Sequence, residues 1–84
     1  MAIRVRYFAR VRDLMGRSEE LIEAPPEVTD GASLIGYLAG RDGAVAETLA
    51  HPSIRIEVNG VLGSRDAAVA DGDEVALLPP FSGG

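Results

Sequence analysis

The sequence predicts an α+β fold in which a mixed β-sheet packs on one main helix. Three observations lead there. Apolar and polar residues alternate near both ends of the chain, a central segment carries an apolar stripe at helical spacing, and an Asn-Gly pair stands at the end of an alternating run. The 84 residues suffice for one small domain with one core.

From Ala2 to Phe8, Ile3, Val5 and Tyr7 fall on one face and Arg4, Arg6 and Phe8 on the other, the period of a half-buried strand. Val11, Leu14 and Met15 then recur at i, i+3 and i+4 before Gly16, which reads as one or two helical turns stopped by glycine. Glu19 to Ala24 fits a second strand ahead of Pro25 and Pro26, although the adjacent Leu21 and Ile22 blur its alternation.

Thr29, Asp30 and Ser33 offer capping oxygens before the stripe of Leu34, Ile35 and Leu38, placing the main helix. Glycines at 36, 40 and 43 each weaken a helix by about 1 kcal/mol relative to alanine, so it breaks near Arg41 to Gly43, and a second helical piece carries Val45 and Leu49. Ile54, Ile56 and Val58 alternate with Arg55 and Glu57 as a third strand. Asn59-Gly60 follows, a hairpin signal, because both central positions of a type I′ turn need positive φ. The alanine-rich stretch to Ala70 reads as loop, Asp71 to Asp73 as a turn, and Glu74 to Leu78 as the last strand, stopped by two prolines that lack N–H donors.

Composition excludes several classes of function. There is no cysteine, hence no disulfide framework, thiol redox centre or thiolate metal site. The net charge of −5 argues against nucleic acid, whose phosphates call for clustered cations. No apolar run is long enough to span a bilayer, and Met1 is followed by a strand pattern rather than a secretory segment, so the expected location is the cytoplasm. All eight cations are arginine, so no lysine here accepts an isopeptide bond.

The unusual feature is the end of the chain, Pro79-Pro80-Phe81-Ser82-Gly83-Gly84. Residues 1–78 are expected to form the domain and residues 79–84 a flexible tail. At about 3.3 Å per residue the tail reaches up to ~20 Å from the sheet. The prolines stiffen its base, and two residues without side chains let the tip thread a narrow channel. The functional group at that tip is the α-carboxylate of Gly84, ionised at neutral pH from a reference pKa of about 3.5. Such a carboxylate can attack the α-phosphate of ATP, and the acyl-adenylate is then open to a sulfur nucleophile, giving a thiocarboxylate. The chain has no glycine-rich phosphate loop, so activation falls to another protein.

Three segments, IRVRYFARVRDLMG from Ile3 to Gly16, Val58-Asn59-Gly60, and DGDEVALLPPFSGG from Asp71 to Gly84, resemble the small subunit of molybdopterin synthase, the MoaD family of the MoaD/ThiS ubiquitin-like carriers. The resemblance spans most of the chain and implies a ubiquitin-like β-grasp fold. It makes Gly84 the residue adenylated by an E1-like adenylyltransferase, converted to a thiocarboxylate by a sulfur donor, and inserted into the large synthase subunit, where sulfur passes to a pyranopterin precursor. A heterotetramer with two large subunits is implied, with this chain the non-catalytic subunit. It binds no cofactor itself; ATP and Mg belong to the activating enzyme. The partner-binding residues implied are Phe8, Leu62 and Leu78 on the sheet face, and Pro79, Pro80, Phe81, Ser82 and Gly83 in the tail. Phe81 stands where the family more often has valine. Other readings stay open: a carrier for thiamine, cysteine or tRNA thiolation, a protein modifier joined through Gly84, or an interaction domain with an inert tail.

Other polar groups carry less. His51 has no second histidine or cysteine to share a metal and is read as a structural residue meeting the helix C-terminal carbonyls. Asp71, Asp73 and Glu74 lack the further ligands of a calcium loop and are read as a turn.

Overall fold

The computed structural model describes residues 1–41 and 43–80. Its elements are β1 (Ala2–Tyr7), α1 (Ala9–Met15), β2 (Glu19–Glu23), α2 (Gly31–Arg41), α3 (Gly43–Ala50), β3 (Arg55–Val58), β4 (Val61–Gly63) and β5 (Glu74–Leu78). The five strands form one sheet in the order β2-β1-β5-β3-β4. β5 lies parallel to β1 and antiparallel to β3, while the β1/β2 and β3/β4 pairs are antiparallel. A parallel pair needs a long crossover, and here everything between β1 and β5 supplies it, carrying the helices past the sheet.

Alternation sorts the strands as the sequence predicts. Ile3, Val5, Val75 and Leu77 are fully buried against Leu34, Leu38 and Leu49 of the helices. In β2 the adjacent Leu21 and Ile22 divide: Ile22 enters the core and Leu21 remains exposed, so the blurred pattern is an ordinary strand with an apolar residue on its outer face.

α1 ends on Gly16, whose φ of 77° lets its N–H reach the Arg12 carbonyl. α2 begins with a reciprocal cap. The Asp30 carboxylate accepts from the Ser33 N–H at 2.8 Å, and the Ser33 hydroxyl accepts from the Asp30 N–H at 3.0 Å. These bonds from Ser33, backbone first, hold the Asp30 carboxyl below the usual carboxylate range. Gly31 follows because there is no room for more: a Cβ would stand 2.7 Å from Ile56 Cδ1 and 3.2 Å from the Arg65 carbonyl oxygen. α2 ends at Arg41 and α3 starts at Gly43, where the glycines predict a break; Asp42 lies outside the described residues.

Asn59 and Gly60 have φ of 51° and 82° and close the β3/β4 hairpin, with Val58 opposite Val61. The three-residue return strand β4 is not foreseen by the sequence pattern, nor is the burial of Val69 in the loop after it. Asn59 also ties the hairpin to β5: its side chain donates to the Asp73 carboxylate at 3.1 Å and accepts the Glu74 N–H at 3.0 Å. One expectation is corrected. The carbonyls at the end of α3 are met by Arg65, which donates to His51 O at 2.6 Å and Leu49 O at 3.5 Å. The His51 ring turns instead to Ser53, with Nδ1 2.7 Å from the hydroxyl.

Candidate functional site

Strand β5 delivers the tail. It is central in the sheet, hydrogen-bonded along both edges, and runs directly into Pro79 and Pro80. Pro79 is half-buried and Pro80 exposed. Of the residues expected in the tail, Phe81, Ser82, Gly83 and Gly84 lie outside the described residues.

The three expected docking residues share the outer face of the sheet, away from the helices. Leu78 follows the buried Leu77 and is half-buried. Phe8 follows Tyr7, the residue paired with Leu77, and its N–H donates to the Leu77 carbonyl at 3.2 Å, so β1 and β5 bring Phe8 and Leu78 side by side. Leu62 pairs with Glu57, which pairs with Ala76, which pairs with Arg6. It therefore lies on the same face, but two strands from Leu78 and in the next row. Phe8 is 36% exposed and Leu62 54%, enough apolar area for both to be contact residues rather than core.

The polar residues of this face steady the patch. The Arg6 guanidinium lies 5.2 Å over the Phe8 ring and 3.7 Å from the Glu74 carboxylate, while Arg4 pairs with Glu19 at 2.6 Å. A cation stacked on the ring limits the orientations Phe8 can adopt. Sequence alternation places Arg6 beside Phe8 but contains no sign of the stacking.

Two further features were not apparent in the sequence. Glu20, on the inner side of β2, accepts from the Tyr7 hydroxyl at 2.6 Å and from both terminal nitrogens of Arg41 at 2.8 and 3.1 Å. The Arg41 bonds are the largest influence holding its carboxyl below the usual range. Burial, followed by the Glu20 bond, pushes the Tyr7 phenol up. An open groove of about 670 Å³ also lies beside the base of the tail. Val11 and Leu14 of α1, Ile54, Thr48 of α3, and Pro79 and Pro80 line it.

Among the described residues no group of three or more acidic, histidine or cysteine side chains could hold a metal ion. No helix among them is long and apolar enough to cross a membrane.

The model of the ThiS family matches residues 5–84. The molybdopterin synthase sulfur carrier subunit of Escherichia coli (strain K12) is 34% identical over 98% of this chain and 99% of its own. The crystal structure of SAMP1 from Haloferax volcanii superposes with a TM-score of 0.80 at 27% identity, covering 100% of both chains. A complex of subunits 1 and 2 of the molybdopterin-converting factor from Helicobacter pylori 26695 contains a chain of the same fold, with a TM-score of 0.64 at 24% identity and full coverage of both chains.

Proposed function

The chain belongs to the ThiS/MoaD family of ubiquitin-like β-grasp proteins, and from that premise we propose that it carries sulfur for molybdenum cofactor assembly on the carboxylate of Gly84. The observation that carries this reading is the full-length similarity to a molybdopterin synthase sulfur carrier subunit. The central, doubly paired β5 leading into the Pro-Pro exit supports it, because it fixes the base of a tail whose last functional group is a carboxylate.

The chemistry takes place in the cytoplasm and in two halves. On an E1-like enzyme that supplies ATP and Mg, a Gly84 carboxylate oxygen attacks the α-phosphorus, and pyrophosphate leaves. Hydrosulfide released by the donor then attacks the acyl carbon, displaces AMP and loses its proton, leaving a thiocarboxylate. In the large subunit that sulfur is transferred to the pyranopterin precursor, and hydrolysis restores the carboxylate. The chain's own contribution is positional: Phe8, Leu78 and Leu62 seat the domain on its partner while residues 79–84 reach into the active site. The chain is accordingly a subunit of a sulfurtransferase rather than an enzyme alone, and a heterotetramer with two large subunits is the assembly we expect. The likeness to a chain of the Helicobacter pylori complex of subunits 1 and 2 supports a large-subunit partner.

The similarity to SAMP1, a small archaeal modifier protein, favours a second reading in which the activated Gly84 is attacked by an amine of another protein. Intact-mass analysis after incubation with ATP, a molybdenum-cofactor-type activating enzyme and a sulfur donor separates the two. Replacement of one oxygen by sulfur at Gly84 is the expected result. An unchanged mass with an enzyme proven active on its own carrier overturns the reading, and conjugates to other proteins through Gly84 establish the second.

A further inference from the structure

Among the described residues two that are not glycine have positive φ, Ala9 and Asn59, both at 51°. Asn59 has its reason in the hairpin turn. Ala9 has no such reason. The left-handed region brings a Cβ close to the following carbonyl oxygen, and besides glycine it is asparagine and aspartate that visit it. Ala9 is exposed and does not belong to the buried core. For folding by itself, glycine would be the less strained residue there.

This is the joint at which β1 passes the chain to α1. Val5 and Tyr7 enter the core, Phe8 stands on the outer face, and by Val11 the chain is buried again. Phe8 is held on both sides. Its N–H donates to the Leu77 carbonyl at 3.2 Å, and its own carbonyl accepts from the N–H groups of Val11 at 3.1 Å and Arg12 at 3.4 Å. Phe8 itself is extended, with φ −123° and ψ 146°, so the turn into the helix falls on Ala9. The helix start has no side-chain cap, which leaves the joint to these backbone bonds and to the conformation of Ala9.

A strained residue persists where its surroundings over-determine it, and such residues gather at binding and switching sites. Glycine at position 9 would let the peptide between residues 8 and 9 rock and the start of α1 move with it, loosening one of the two sides that hold Phe8. A methyl group narrows that freedom. We propose that Ala9 is a positioning residue for docking: its methyl keeps the joint in one conformation and so presents the Phe8 ring, stacked with Arg6, at a fixed place beside Leu78. The proposal rests on the reading of Phe8 and Leu78 as docking residues.

The test compares the full-length wild type with Ala9→Gly and Ala9→Asn, since asparagine accepts positive φ yet keeps a Cβ. In the free protein, proton NMR reads the ring-current shift that Phe8 imposes on the side-chain protons of Arg6. That shift should shrink in Ala9→Gly and persist in Ala9→Asn. Titration calorimetry against the large synthase subunit should show affinity about fivefold weaker in Ala9→Gly and within about twofold of wild type in Ala9→Asn. The thermal midpoint of Ala9→Gly should not fall, which separates lost positioning from lost folding. An unchanged Arg6 shift in Ala9→Gly overturns the proposal. So does wild-type affinity in that variant when Phe8→Ala binds weakly, or an Ala9→Asn variant that behaves as Ala9→Gly does. Wild-type affinity in Phe8→Ala as well sinks the docking reading instead, and the Arg6 shift then decides what Ala9 does for the ring.

Discussion

The Tyr7 hydroxyl donates a 2.6 Å hydrogen bond to Glu20, whose carboxylate is at the same time gripped by both terminal nitrogens of Arg41. Tyr7 belongs to β1, Glu20 to β2 and Arg41 to the last turn of α2, so one carboxylate joins the sheet to the end of the main helix. Its lowered pKa gives this joint a pH signature. Between the folded and unfolded pKa values the unfolded state binds more protons, so stability rises with pH there. The contribution is complete above the unfolded value of about 4.3 and is lost as pH falls through the lower folded value. Acid unfolding followed by circular dichroism should show this component in the wild type and not in Glu20→Gln.

Tyr7 gives the opposite sign. Its folded pKa is raised, so its contribution is complete below the unfolded value of about 10 and falls as pH rises above it. Alkaline unfolding of Tyr7→Phe should lack that decline, while its stability at neutral pH drops by about 1 kcal/mol through loss of the hydrogen bond.

Two glycines of the same helix should respond oppositely to alanine. At Gly31 the added methyl meets Ile56 and the Arg65 backbone, and we expect a loss of about 1 to 3 kcal/mol. At exposed Gly36 it meets nothing within 4 Å, and a gain of up to about 1 kcal/mol is expected from helix propensity. Urea unfolding of each single variant reads both, and equal shifts of the same sign would contradict the packing described.

Phe8→Ala should weaken binding to the large synthase subunit by about 2 kcal/mol, as for a ring at the centre of an interface. Arg6→Ala should cost less, about 0.5 to 1 kcal/mol, through loss of the stacked cation. Titration calorimetry measures both. Wild-type affinity in Phe8→Ala would remove the outer face from the docking surface.

Deleting Gly84 should abolish adenylation and sulfur loading while leaving the thermal midpoint unchanged, since the last strand ends at Leu78. A lowered midpoint would show that tail and scaffold are not separable.

Local rules made much of this fold readable. Glu74 to Leu78 alternates cleanly between two turn-forming neighbours and becomes β5 with those bounds, and Asn59-Gly60 takes the two positive φ angles its residues favour. What stayed hidden depends on partners distant in the chain. Val61 and Leu62 form a strand because Val58 and Glu57 lie opposite, and Val69 is buried because a loop is drawn over the core. The Glu20–Arg41 pair spans 21 residues, beyond any periodicity. Phe8 and Leu78 could each be assigned a face by alternation, yet their adjacency follows from the parallel register of β1 and β5, which no local pattern specifies. The tail on which the proposed chemistry rests is, by contrast, a linear feature of six consecutive residues.

The position of β5 also decides how the molecule bears load. A strand at a sheet edge can be peeled away one hydrogen bond at a time by a force across it. β5 is flanked by β1 and β3, and a pull along the strand crosses ladder bonds on both sides, perpendicular to the strand toward β3 and slanted toward β1. Those bonds are strained together in shear and must fail together. A partner that grips the end of this chain can therefore tug on it without unravelling the domain, and a machine that unfolds proteins from their C-terminus meets its greatest resistance at the first element it reaches.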